Sequence, residues 1–164
     1  MLWAAVAAIL SPDPDSLLLI RRAERTGDPW AGHMALPGGR MEPADGDLLT
    51  TAIRETHEEI GVQLDPAHLL GSLEDVIPRT PVLPPIAVRP FVFLLPARPL
   101  LMPNAEVAAA TWVPLAHLFH PATYRSVSLN VLGTTRVVKA YEFEDAVVWG
   151  MTERIITNLL EKLR

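Results

Sequence analysis

The 164-residue chain contains no cysteine. Disulfides, thiolate metal sites and cysteine nucleophiles are therefore all excluded, and a reducing compartment is the default expectation. Basic charge is short as well: 14 Lys and Arg stand against 19 Asp and Glu, for a net charge of −5. Binding along a phosphate backbone normally needs a basic patch, so nucleic acid is not expected as a partner. The apolar run at residues 2–10 is far too short to span a bilayer, and it lacks the basic start and small-residue cleavage site of a secretion signal. The expectation is a chain with no membrane partner and a cytoplasmic location. Internal repeats, low-complexity tracts and an interdomain linker are also missing.

What is present suits one domain spanning residues 1–164, with 49% apolar and 20% charged residues. Eight of the 16 prolines cluster at 78–90 and 96–103, between apolar runs, and mark loops. Residues 2–10 and 17–22 flank Ser11-Pro12-Asp13-Pro14-Asp15, which predicts a hairpin. A short strand is expected at 33–36, running into a loop at Pro37-Gly38-Gly39, where glycine allows close approach of a ligand. Leu48, Leu49, Ala52, Ile53 and Ile60 recur at helical spacing, with Asp45 or Asp47 as the cap and Gly61 as the stop. Residues 69–77, 86–95 and 107–113 read as strands. Residues 126–132 and 136–143 read as a second hairpin, and 147–163 as a final helix that packs on the sheet. The assembled expectation is an α/β protein, a mixed sheet between helices in an α/β/α sandwich.

The densest chemistry lies in Gly38-Gly39-Arg40-Met41-Glu42, followed by Arg54-Glu55-Thr56-His57-Glu58-Glu59-Ile60-Gly61-Val62. Glu55, Glu58 and Glu59 are spaced i, i+3, i+4, so they project from one helical face. Like charges at that spacing repel by roughly 0.2–0.5 kcal/mol per pair in water, and by more once desolvated. A lone Glu cluster is usually a solvated face. Three carboxylates beside a glycine pair fit a divalent cation instead, and oxygen-only ligands point to Mg²⁺ or Mn²⁺ over zinc.

A glycine pair, a spacer and Arg-Glu-x-x-Glu-Glu-x-Gly resemble the Nudix box, the signature of enzymes that hydrolyse a nucleoside diphosphate linked to another group. The box usually has a Glu where this chain has Asp45 on one count and Gly46 on the other, so one residue is inserted and Glu has become Asp. Thr56 stands where the box usually has an aliphatic residue. Glu42-Pro43-Ala44-Asp45 and Thr51-Ala52-Ile53-Arg54-Glu55-Thr56 resemble the coenzyme A pyrophosphatase branch. So does Leu18-Leu19-Ile20-Arg21-Arg22-Ala23 upstream of Gly32-His33-Met34-Ala35-Leu36-Pro37-Gly38-Gly39, although the branch's second Arg falls at Asp28 and Arg25 is displaced.

The resemblance implies metal binding by Glu55 and Glu59, with Glu58 as a further ligand or bridge and a glycine carbonyl near Gly38 as an additional one. Arg54 is expected to face away from the metal and to pair with Asp45 or Glu42. Glu106 and Glu58 are rival candidates for the general base; His57 points off the Glu55/Glu59 direction. Arg21, Arg22, Arg25, Trp30 and Gly39 are the candidate substrate contacts. Trp30 and His33 either touch a base or pack under the loop, and His68, His117 and His120 read as structural. The implied function is hydrolysis of a diphosphate in a small-molecule nucleoside diphosphate derivative, with coenzyme A or its thioesters leading. ADP-ribose, nucleotide sugars or oxidised nucleoside triphosphates are the alternative substrates, and a non-catalytic ligand-sensing module is the alternative class. Family analogy adds a homodimer.

Overall fold

Alternating burial along two strands decides the architecture. In β1 (Leu2–Pro12) and β2 (Asp15–Arg22), Ala8, Leu10, Leu17 and Leu19 enter one apolar cluster while Ala5, Ala7, Ile9, Leu18 and Ile20 enter another. Successive side chains on a strand point to opposite faces, so near-continuous apolar runs mean a sheet covered on both sides. The computed structural model describes residues 1–12, 15–24, 33–79, 85–131, 133–144 and 146–164.

β1 and β2 pair as a hairpin only at their junction, from Leu10 opposite Leu17 to Pro12 opposite Asp15. Beyond that they diverge. β4 (Gly38–Arg40) takes the vacated edge of β1 at Ala4–Val6, and β2 instead pairs with β3 (Met34–Ala35) and β7 (Val107–Pro114). On its other edge β1 runs parallel to β6 (Ile86–Leu94), which pairs with β5 (Leu69–Ser72). The result is a seven-stranded mixed sheet. A separate three-stranded antiparallel sheet holds β8 (Tyr124–Val131), β9 (Thr134–Phe143) and β10 (Ala146–Val148).

Helix α1 (Leu48–Ile60) covers one face of the large sheet with Ala52 and Ile60. The short α2 (Leu115–Phe119) follows β7, and α3 (Gly150–Leu163) covers the opposite face with Ile155, Ile156, Leu159 and Leu160. Each such side chain gains roughly 1.5–3 kcal/mol from leaving water. This is the α/β/α arrangement expected from the sequence.

Several boundaries differ from expectation for local reasons. The glycine segment is a strand through its pairing with β1, although glycine has no strand preference of its own. Strand β5 stops at Ser72, after a register shift between Leu69 and Gly71, and Val76 makes only a lone bridge to Val88. Val147 belongs to β10, paired with β9, so the last helix starts at Gly150. The second hairpin begins at Tyr124 and resumes at Thr134, longer than predicted on both arms. No helix among the described residues is long and apolar enough to cross a membrane.

Candidate active site

Asp47 caps α1 by accepting from the Thr50 N–H at 2.8 Å, and Gly61, at φ +73°, ends it by donating to the His57 carbonyl at 2.9 Å. The helix is thereby set against β4 with its acidic side towards the two glycines. Gly38 N–H donates to Glu59 Oε1 at 2.8 Å. A side chain on Gly38 would meet the Ala5 carbonyl oxygen at 2.2 Å, and one on Gly39 would lie 2.6 Å from Glu55 Oε1. Both glycines are required by contact with what lies beside them.

A cavity of about 320 Å³ opens here, with Glu55, Glu59 and Glu106 on its walls together with Gly38, Gly39 and Arg22. Four residues from distant parts of the sequence, Arg22, Gly39, Glu59 and Glu106, thus share one space. A larger and more open depression of about 400 Å³ lies beyond the C-terminus of α1, near Gly61, Asp65, Leu95 and Met102. It lacks the carboxylate cluster, so the smaller cavity is the candidate site.

Burial pushes the Glu59 carboxyl up to about 7; the Gly38 N–H works against the rise, and the charges of Glu55 and Glu106 add to it. Burial also raises Glu55, opposed by Arg54. Two neighbouring carboxyls that resist ionisation make a site which a cation would relieve. Asp45 behaves in the opposite way. Its hydrogen bonds to Arg54 hold it well below the usual carboxylate range.

Arg54 is the hub of this side of the helix. Its Nε and Nη2 donate to the two Asp45 oxygens at 2.7 and 3.0 Å, and Nη2 also reaches the Arg40 carbonyl at 3.2 Å. Glu42 lies farther off, at 3.8 Å. Arg54, expected to face away from the metal, also reaches two of the carboxylates expected to hold it: Nη1 donates to Glu55 at 3.1 Å and to Glu58 at 3.3 Å. A helical wheel places its Cβ, but the long side chain curls back. Glu58 follows that guanidinium and is half exposed, outside the cavity wall. Among the described residues no three acidic or imidazole side chains converge as a ready metal cage.

Asp45 also explains the inserted residue. Residues Pro43–Asp45 form a single 3-10 turn in which the Asp45 carboxylate accepts the Glu42 N–H at 2.9 Å. Thr51 Oγ1 adds a 2.8 Å bond to the same carboxylate. Thr51, present in the branch motif without an expected role, is thus part of the Asp45 cluster, and its signal in the sequence is a hydroxyl one turn into the helix, six residues past the acid.

Of the candidate substrate contacts, Arg22 and Gly39 line the cavity and Arg21 does not. Arg25 and Trp30 lie outside the described residues. His33 accepts from Trp149 Nε1 at 3.0 Å and meets its ring edge-on. His120 Nδ1 accepts the Ala122 N–H in a turn.

The family model for the NUDIX domain matches residues 1–132. The chain is 32% identical over 159 residues to the Nudix hydrolase NudL of Yersinia pestis (strain Pestoides F), across 96% of this chain and 77% of the relative. A MutT/nudix family protein from Enterococcus faecalis has a similar fold, with TM-score 0.70 at 15% identity, over 99% of this chain and 61% of the Enterococcus protein. The NUDIX domain of Shewanella oneidensis NrtR, solved with ADP ribose, aligns at TM-score 0.58 and 22% identity over 72% of this chain and 75% of its own. At these identities the structural likenesses speak for the fold alone.

Proposed function

Since the chain belongs to the Nudix family and is a pyrophosphohydrolase acting on nucleoside diphosphate derivatives, we propose that its reaction occurs in the cavity shared by Glu55, Glu59 and Glu106. Mg²⁺ or Mn²⁺ is held there by Glu55 and Glu59, and coenzyme A or a thioester of it is the substrate. The observation that carries this reading is the packing of both carboxyls against Gly38 and Gly39, with Glu59 raised to about 7.

The donor set fits such an ion. Mg²⁺ is commonly bound through one or two carboxylates together with water and substrate phosphates, so a pair of Glu suffices without a closed protein cage. The Gly38 carbonyl is a further ligand in this reading, and Glu58 becomes one only if it leaves Arg54. When bound, the cation neutralises the diphosphate oxygens.

The protein's own groups do the rest. Glu106 accepts the proton of the attacking water as its oxygen bonds to phosphorus, and the bridging P–O bond breaks to release two phosphate products. Glu58 is the rival base, although its position beside Arg54 favours Glu106. Arg22, on the cavity wall, supplies positive charge to the phosphate groups. Arg54 holds Glu55 in place.

Coenzyme A rests on the Glu42-Pro43-Ala44-Asp45 spacer, which folds into the Arg54-binding turn, and on the arginines that close β2. ADP-ribose is the second reading; it is the ligand with which the Shewanella domain of similar fold was solved. We also take residues 1–164 as one domain. Helix α3 lies beyond the matched region yet supplies Ile155, Ile156, Leu159 and Leu160 to the core beneath the sheet.

The test is product analysis by mass spectrometry for coenzyme A, ADP-ribose, a nucleotide sugar, a dinucleoside polyphosphate and dGTP, each with Mg²⁺ or Mn²⁺. Coenzyme A should yield a phosphopantetheine and an adenosine bisphosphate, and Glu59→Gln should yield neither. Turnover by Glu59→Gln at the wild-type rate would sink the metal assignment. Cleavage of ADP-ribose in preference to coenzyme A would move the chain to the second reading.

A further inference from the structure

The last four carbonyls of an α-helix have no partner within the helix. In α1 all four are closed, and three of them by one segment. The His57 carbonyl accepts from Gly61 N–H at 2.9 Å and that of Ile60 from Met102 N–H at 2.8 Å. The Glu59 carbonyl accepts the Asn104 N–H at 2.8 Å, and the Glu58 carbonyl accepts the Asn104 side-chain Nδ2 at 2.9 Å. The other end of the same side chain serves a different group: Asn104 Oδ1 accepts the Glu106 N–H at 2.8 Å.

We propose that Asn104 is a positioning residue, whose amide bridges the last turn of α1 to Glu106 and so sets the place of the general base relative to Glu59. This rests on the assignment of Glu106 made above. The two contacts fix which way the amide lies. Its NH₂ faces a carbonyl and its oxygen faces an N–H, and a flipped amide would set donor against donor and acceptor against acceptor. Glu106 is pinned from the far side as well, since its carbonyl accepts the Ala23 N–H at 2.9 Å. It stands just before Val107, where β7 begins, in a turn that the Val107 N–H closes by donating to the Asn104 carbonyl at 3.2 Å. Without the side-chain bridge, that segment stays tied to the helix through the backbone of residues 102 and 104 and the turn keeps its Val107–Asn104 backbone bond, while the bond that fixes the Glu106 amide is lost.

Helix capping alone does not account for the arrangement. A cap needs only the bond to Glu58, whereas the bond to the Glu106 amide gives the helix nothing. Asn104→Ala also keeps the backbone bond to Glu59, so three of the four terminal carbonyls remain satisfied and the fold should persist.

The test is a double-mutant cycle on full-length protein with Mg²⁺, using the fastest-hydrolysed of coenzyme A, ADP-ribose and dGTP, together with amide hydrogen exchange at Glu106. Glu106→Gln should lower kcat by about 10²-fold or more. Asn104→Ala should lower kcat by roughly 10-fold or more with KM changed by less than about 3-fold, and should speed exchange at the Glu106 amide. The double variant should be no slower than Glu106→Gln alone, because a misplaced base and an absent base are the same loss. Asn104→Ser, whose hydroxyl can still accept from the amide two residues on, should recover part of the rate.

Multiplying losses in the double variant, an unchanged kcat in Asn104→Ala, or unchanged exchange at Glu106 would each overturn the role of Asn104 while Glu106→Gln remained slow. A Glu106→Gln variant as fast as wild type would instead remove Glu106 as the base, and the positioning role would fall with it.

Discussion

A Cβ placed on Gly39 would stand 2.5 Å from the carboxyl carbon of Glu55. Real Cβ atoms do not tolerate such an approach, so an alanine there must displace the carboxyl from the cavity wall. Gly39→Ala should therefore keep the fold but weaken Mn²⁺ binding by about 10-fold or more, the scale seen when support around a ligand is lost. Titration with Mn²⁺ followed by electron paramagnetic resonance measures this directly. Wild-type affinity in the variant would show that Glu55 is not a ligand.

Asp45 accepts four hydrogen bonds, two from Arg54, one from the Glu42 N–H and one from Thr51. Asp45→Asn loses the charge and at least one acceptor, and charge-assisted bonds of this kind contribute about 1.5–3 kcal/mol. We expect a loss of that size in urea unfolding at pH 7. Because the hydrogen bonds to Arg54 lower the pKa of Asp45 in the folded state well below the usual carboxylate range, its stabilisation is present above about pH 4 and fades as the pH falls further. The gap between wild type and Asp45→Asn should accordingly narrow between about pH 4 and pH 2. A gap independent of pH would mean that Asp45 contributes through shape and not charge.

The helix carrying the carboxylates was legible because local and tertiary signals coincide there: Asp47 caps it, Gly61 stops it, and Ala52 and Ile60 face the core. The same agreement made β1, β2, β6 and β7 readable. Strand β4 was not, since Gly38 and Gly39 become a strand only through their partners on β1. Strand β10 was absorbed into the final helix because an apolar Val147 suits either element, and only pairing with Glu142 of β9 decides between them. In the candidate site, the spacing of Glu55, Glu58 and Glu59 was visible while their division was not. Arg54 draws Glu58 aside and leaves Glu55 and Glu59 at the cavity, and no helical spacing encodes where a long guanidinium will settle.

Glu59 gives a pH dependence of opposite sign to that of Asp45. Its folded value, raised to about 7 from an ordinary 4.5, means that the native state holds this proton more tightly than the unfolded chain does. Stability should therefore be highest below about pH 4.5 in this respect and should decline as the pH rises through about 7, by on the order of 3 kcal/mol in total. For metal-free protein, kept in chelator, the unfolding free energy should fall between about pH 5 and pH 8. Glu59→Gln should remove most of that slope, and Mg²⁺ should offset it in the wild type. Equal slopes in wild type and variant would place the buried charge elsewhere.

Thr56 faces the core of α1 with no exposure, and its hydroxyl has no hydrogen-bond partner among the described residues. It lies one turn from Ala52 and one turn from Ile60, both fully buried. A buried hydroxyl without a partner costs roughly 1–3 kcal/mol relative to one that is bonded, whereas valine has the same shape and nothing to satisfy. Thr56→Val should thus raise stability by about 1 kcal/mol, or roughly 2–4 °C in Tm. The change is confined to the side of the helix away from the cavity, so kcat should stay within about 2-fold of wild type. Calorimetry and a rate assay on the same preparation separate the outcomes. A lower Tm would mean that the hydroxyl is satisfied in solution. A higher Tm with reduced kcat would show that α1 trades rigidity for turnover, and that the threonine in this otherwise aliphatic position serves the motion of Glu55 and Glu59.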